Sequence, residues 1–180
     1  MTNSGVMGAG GRGWIAGFFG FLGVLAAAIF VPGAAVAGGQ LSVVMSVEVA
    51  GQVSDVWKTV RAFDRLQDWH PAVESTTMTG APEQVGSVRV LHLNGGGEIK
   101  ERLTYFNDSS RTLTYEILES PLPITNYHSY ISATDVGNGK TVVIWGSTFE
   151  AKGAPDAKAK EVISGIYQAG FDKLKQMFGG

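Results

Sequence analysis

Beyond residue 40, apolar and polar positions mostly alternate, and in two places the alternation gives way to helical spacing. Residues 40–50 alternate and are rich in valine, which predicts an opening strand. Val56, Trp57, Val60 and Phe63 then recur at helical spacing as one apolar stripe. Ser54 stands where it can cap that helix, with Asp55 in the first turn. Residues 64–69 predict a second short helical turn, ended by Pro71. Strand-like runs follow at 73–79, 87–93, 98–107, 113–120, 127–134 and 141–151. The breaks between them carry turn chemistry, as in Asn94-Gly95-Gly96-Gly97, Asn107-Asp108-Ser109-Ser110 and Gly137-Asn138-Gly139. Such short connections favour hairpins, hence an antiparallel sheet in meander order. Pro155 suits the first turn of a long closing helix, whose stripe runs through Val162, Ile163, Ile166, Tyr167, Gly170, Phe171, Leu174, Met177 and Phe178. The expected fold is α+β: a seven-stranded antiparallel sheet wrapped around a long C-terminal helix, enclosing a cavity.

Ahead of this region the pattern changes. No residue between Trp14 and Ala37 is charged, and 15–31 is apolar throughout. Arg12 supplies one positive charge before the run, Pro32-Gly33 breaks it, and Ala35-Val36-Ala37 fits a small-x-small cleavage site. The expected organisation is a signal peptide over 1–37 and one domain over 38–180, periplasmic or secreted after cleavage near Ala37. The alternative is an uncleaved membrane anchor, because the run approaches the roughly 20 residues that span a bilayer. The interspersed glycines, the proline and the small-residue site favour cleavage.

Setting 1–37 aside leaves 143 of the 180 residues, a length that suits one domain with a sizeable core. Only Arg12 leaves the charge count, so 13 basic residues face 16 acidic ones. This mild acidity gives no electrostatic basis for binding nucleic acid or an anionic lipid surface. With no cysteine, the chain has no disulfide, no thiolate nucleophile and no thiolate metal site. Export permits disulfides without requiring them, so their absence is neutral on that point.

The residues that violate strand alternation carry the candidate chemistry. Arg89 shares its face with Leu91 and Leu93, while Glu101 shares its face with Ile99, Leu103 and Tyr105 on the next strand. A buried unpaired charge is costly, so these two are expected to meet each other or a polar ligand group. One reading is an internal salt bridge that sets strand register; the other is a polar anchor in a cavity, able to act as acid and base. His70, His92 and His128 stand on separate segments without ligand spacing, so neither a metal nor a cofactor is expected. His70, beside Trp69 and Pro71, reads as a turn residue or as a ligand contact near the cavity mouth. The Gly-rich 94–97 segment lacks a following helix with a lysine, so it reads as a hairpin tip and not a phosphate cradle. Tyr105, Tyr115, Tyr127, Tyr130, Trp145, Phe149, Tyr167 and Phe171 read mainly as core, and inner-face tyrosine hydroxyls would orient a ligand. Residues 119–124 read as a lip over the entrance, and Gly170 as a site of helix bending or close approach.

The Val56-Trp57-x-x-Val60-x-x-Phe63 helix, Trp69-His70-Pro71, and the stretches Glu98-Ile99-Lys100-Glu101-Arg102-Leu103 and Leu113-Thr114-Tyr115-Glu116-Ile117 resemble the START-type polyketide cyclase/dehydrase and lipid-transport superfamily. The resemblance covers the whole of 38–180 and implies the helix-grip fold of the birch-pollen allergen. It places Arg89 and Glu101 where lachrymatory-factor synthases carry an active-site Arg and Glu. The candidate ligand-binding set is Trp69, His70, Arg89, Leu91, Glu101, Leu103, Tyr115, Trp145, Tyr167 and Phe171. With its leader, the chain is similar to MxaD-type periplasmic accessory proteins of methanol oxidation. Three function classes follow: a binding protein for a small hydrophobic or amphipathic molecule, an adaptor for a periplasmic dehydrogenase or its cytochrome, and a cyclase, lyase or isomerase using Arg89 and Glu101. With no nucleophile or metal site in the sequence, catalysis ranks last.

Overall fold

The computed structural model describes residues 39–180, so the leader over 1–37 lies outside the described residues. Seven strands form one antiparallel sheet: β1 (Leu41–Val49), β2 (Val73–Thr79), β3 (Val88–Leu93), β4 (Glu98–Asn107), β5 (Thr112–Glu119), β6 (Ile124–Gly137) and β7 (Lys140–Ala151). Their order is β1-β7-β6-β5-β4-β3-β2, a meander from β2 to β7 with β1 added beside β7. Helix α1 (Val53–Val60) and a 3-10 turn (Leu66–Asp68) link β1 to β2, and helix α2 (Asp156–Phe178) ends the chain.

Alternation builds the inner face. β1 turns Leu41, Val43, Val47 and Val49 inward, and β7 turns Val143, Trp145 and Phe149 inward. β6 and β7 join through Asn138-Gly139, both at positive φ (54° and 71°), as a two-residue turn of the primed type requires. α1 buries Val56, Trp57 and Val60 as its spacing predicts, but Ser54 is not its cap. The cap is Gln52, two residues earlier, and its carbonyl accepts the N–H groups of Asp55 and Val56 at 3.0 and 3.1 Å. Pro155 likewise precedes the first turn of α2, with φ −62° and ψ 150°. At the far end of α2, Met177, expected in the apolar stripe, is exposed, whereas Phe178 packs against the core.

Two bulges change which residues face inward. In β4 the register shifts between Leu103 and Tyr105, so Phe106 instead of Tyr105 pairs with Leu113 and packs inside. Tyr105, expected on the inner face, is exposed, and Phe106 stacks on Trp57 at 6.1 Å. In β6 two residues, Asn126 and Tyr127, oppose Phe149 alone, with Asn126 at φ 51°. That extra residue turns both Ile124 and Tyr127 inward and carries the strand three residues further back than alternation predicts.

α2 sits against β1 and β7. Tyr167 stacks on Trp145 with ring centroids 4.4 Å apart and planes 17° apart, and Phe171 meets the same indole edge-on. Gly170 permits this seat, since a Cβ there would lie 3.0 Å from the Trp145 ring and 3.1 Å from the rings of His70 and Trp69. Of the two roles open to this glycine, the structure shows close approach. Gly170→Ala gains about 1 kcal/mol of helix propensity but must displace rigid buried rings, at about 1–3 kcal/mol. The expected net effect is a melting temperature lowered by a few degrees; thermal unfolding at or above the wild-type midpoint would contradict this packing.

Candidate functional site

Sheet and α2 do not meet everywhere. Between them lies a cavity of about 190 Å³ with Leu91 and Ile99 on its sheet side and Ile163 and Ile166 on its helix side. Half-buried Leu93, Ile117, Leu122 and Ile166 line its more open end, Leu122 coming from the loop expected to form a lip. Its wall is mostly apolar, interrupted by Glu101, His70 and the rings of Tyr115, Tyr127 and Trp145.

Arg89 and Glu101 are direct cross-strand partners. Arg89 Nε donates to Glu101 Oε2 at 2.5 Å, and both side chains are buried. A second guanidinium nitrogen donates to the Phe63 carbonyl at 3.0 Å, and the guanidinium lies 4.0 Å over the Phe63 ring and 5.2 Å from that of Tyr115. Burial raises the proton affinity of the Glu101 carboxyl, and the adjacent Arg89 offsets part of that rise. Arg89 therefore stands behind the carboxylate, and only Glu101 of the pair reaches the cavity wall.

A polar network runs beside this pair. Trp145 Nε1 donates to the Tyr115 hydroxyl at 2.9 Å and to Ser129 Oγ at 3.1 Å. Ser129 Oγ donates to the Gly146 carbonyl at 2.9 Å, and the Tyr127 and Tyr167 hydroxyls are 2.6 Å apart. Burial raises the pKa of all three tyrosines, so at neutral pH they are hydroxyl groups and not phenolates. The Glu101 charge pushes Tyr115 further in the same direction.

His70 joins the segment after the 3-10 turn to α2. Its Nε2 lies 2.9 Å from the Ile166 carbonyl, and its Nδ1 lies 3.3 Å from the Ala72 N–H. A carbonyl only accepts, so Nε2 carries the proton and Nδ1 accepts, which makes the neutral tautomer the one that satisfies both. Burial pushes His70 below its ordinary pKa; the Ile166 carbonyl opposes this and Arg89 adds to it.

The structure thus brings His70, Leu91, Glu101, Tyr115 and Trp145 onto one wall. Trp69, Arg89, Leu103, Tyr167 and Phe171, expected beside them, are buried in the layer behind, where they hold the wall in place. Tyr127, expected mainly as core, also lines the cavity, and Ser129 joins the network beside it. A sequence signal for Ser129 existed, since this small polar residue interrupts the inward series Tyr127, Ile131, Ala133. Among the described residues, no group of three or more His, Asp or Glu side chains is placed to hold a metal ion.

A sheet that closes on a long helix around an apolar, carboxylate-bearing cavity defines a helix-grip cavity protein. The chain belongs to the polyketide cyclase / dehydrase and lipid transport family, whose model matches residues 40–179. It is 30% identical over 110 residues to the abscisic acid receptor PYL10 of Arabidopsis thaliana, a match spanning 59% of this chain and 60% of the receptor. The solved structure of XoxI from Bacillus cereus is 34% identical, with a TM-score of 0.71 over 76% of this chain and 94% of that one. Norcoclaurine synthase from Thalictrum flavum, solved with dopamine and hydroxybenzaldehyde, shares the fold at 18% identity, with a TM-score of 0.62 over 84% of this chain and 96% of that one.

Two outcomes test this geometry. Glu101→Leu strands the Arg89 charge in the core and is expected to cost about 3–5 kcal/mol in urea unfolding. The double variant Arg89→Leu/Glu101→Leu should lose less than either single variant; additive losses would show that the pair is not coupled. For His70, the folded state binds a proton less readily than the unfolded chain, whose histidine titrates near 6.5. Its contribution to stability is complete above that value and declines as the pH falls below it. Between about pH 7 and pH 5, wild type should therefore lose stability more steeply than His70→Gln, whose amide nitrogen can still donate to Ile166. Glu101 acts with the opposite sign but is common to both proteins, so matching slopes would show that His70 is not buried as the neutral form.

Proposed function

We propose that the chain is an exported protein that binds one small hydrophobic or amphipathic molecule between the sheet and α2. The cavity carries this proposal. A cavity of about 150 Å³ lined by Leu, Ile and Phe accepts benzene, so about 190 Å³ suits one ring or a short branched chain. A drug-sized or polycyclic occupant needs a pocket of about 300 Å³ or more. Membership of a family described by polyketide cyclisation and lipid transport supports a small-molecule occupant. So does the similarity to a receptor named for abscisic acid.

The apolar leader over 1–37 supports a periplasmic or secreted location. Together with the resemblance to MxaD-type proteins, it supports a finer form of the proposal, in which the loaded protein assists a periplasmic dehydrogenase or its cytochrome. Catalysis as a cyclase, lyase or isomerase is the second reading, favoured by the raised proton affinity of Glu101 at the cavity wall. The direct bond to Arg89 weighs against it, because it holds the carboxylate in an ion pair.

Native mass spectrometry of the protein recovered from its own host's cell envelope tests location and occupancy together. The expected species begins at Gly38 and carries a bound mass on the order of one to two hundred daltons, lost on denaturation. A full-length chain would overturn cleavage, and an empty one would move the weight to the adaptor role.

A further inference from the structure

The polar groups on the cavity wall do not satisfy one another. Glu101 engages Arg89 through Oε2 alone among the described residues, so Oε1 remains an acceptor on a wall that is otherwise largely apolar. Tyr115 has the complementary surplus. Trp145 Nε1 is a donor only, so the Tyr115 oxygen accepts in that bond and its own proton is not committed there. The adjacent Ser129 oxygen is the competing acceptor for that proton and is already crowded by two other groups. The Ser129 hydroxyl donates to the Gly146 carbonyl, and its oxygen faces Trp145 Nε1 at 3.1 Å and the Tyr167 hydroxyl at 3.5 Å. Tyr115 and Glu101 both line the cavity, and both are at least nine-tenths buried. They are diagonal neighbours on one sheet face, since Glu101 pairs with Ile117 and Tyr115 with Leu103. Diagonal pairs stand roughly 7–8 Å apart, and both side chains reach the same cavity.

We infer that the cavity recognises a neutral hydroxyl group on its ligand, which donates to Glu101 Oε1 and accepts from the Tyr115 hydroxyl. This deepens the small-molecule proposal and rests on it. A carboxylate has no proton for Glu101 and brings a second negative charge into a low-dielectric space. An ammonium cannot accept from Tyr115 and adds a cation near Arg89. A hydrocarbon displaces whatever solvates the two groups and leaves both unpaired. The ligand class is therefore a ring-sized or short-chain alcohol or phenol.

Titration of the full-length protein with toluene, 4-methylphenol and 4-methylbenzoate, read by calorimetry or amide NMR shifts, tests the inference. These probes keep the ring and methyl group and vary only the polar end. We expect 4-methylphenol to bind about tenfold or more tighter than toluene, and 4-methylbenzoate to bind more weakly than 4-methylphenol. In Tyr115→Phe the preference for 4-methylphenol over toluene should fall toward one. That variant leaves Trp145 Nε1 its second acceptor, Ser129 Oγ, so the surrounding packing is retained. Equal affinities in wild type, an unchanged preference in Tyr115→Phe, or tightest binding of 4-methylbenzoate would overturn the hydroxyl inference and leave the cavity proposal standing. No binding of any probe would overturn both.

Discussion

A buried arginine and a buried glutamate on adjacent strands constrain this molecule more than any other pair. Each would carry a large desolvation cost alone, so β3 and β4 must pair in the register that sets Arg89 opposite Glu101. A slip by one residue would turn one charge outward and leave the other buried without a partner. The same guanidinium takes the Phe63 carbonyl and lies against the Phe63 ring, which ties the segment after α1 to the sheet. Structure and chemistry meet there, because the oxygen that Arg89 does not engage is, among the described residues, the one free carboxyl oxygen on the cavity wall.

The second constraint is how α2 is seated. An extended aromatic surface, Trp145 against Tyr167 and Phe171 with Trp69 and His70 alongside, holds the helix at close range where Gly170 lacks a side chain. His70 also bonds to the Ile166 carbonyl of α2. One part of the helix is thereby pinned, and toward Ile163 and Ile166 the gap between helix and sheet widens into the cavity. Large rings on one side of the inner face keep helix and strands apart, and smaller aliphatic side chains on the other leave the space unfilled. The half-buried residues at the open end come from β3, β5, the loop before β6 and α2, so access depends on separate elements moving relative to one another.

Function follows from what this wall leaves unmatched. A wholly apolar cavity would accept any molecule of the right size, whereas one with an unengaged carboxyl oxygen and a tyrosine hydroxyl on its wall would discriminate by head group. The tyrosines are kept neutral by burial, and burial raises the proton affinity of Glu101 while Arg89 offsets part of that rise. A carboxyl oxygen and a tyrosine hydroxyl on an otherwise apolar wall suit recognition of a polar end within an apolar space.

Period-2 and helical spacing alone determined the strand and helix order, the meander, the inward-facing Arg89 and Glu101 and the inner faces of β3 and β5, because each depends on local alternation beside a buried layer. The family resemblance followed from the same local patterns. Tertiary structure decided what alternation cannot carry across an inserted residue. The β4 bulge exchanged Tyr105 for Phe106, and the β6 bulge turned Ile124 inward along with Tyr127. It also decided which buried residues touch the cavity and which stand behind it. Trp69, Leu103, Tyr167 and Phe171 have the same apolar signature as Leu91 and Tyr115, and only the seating of α2 separates the two groups. His70 shows the same limit, since a bond to a carbonyl 96 residues away has no signature in local sequence. Local pattern specifies which face a side chain occupies; the space in front of that face depends on contacts between segments far apart in the chain.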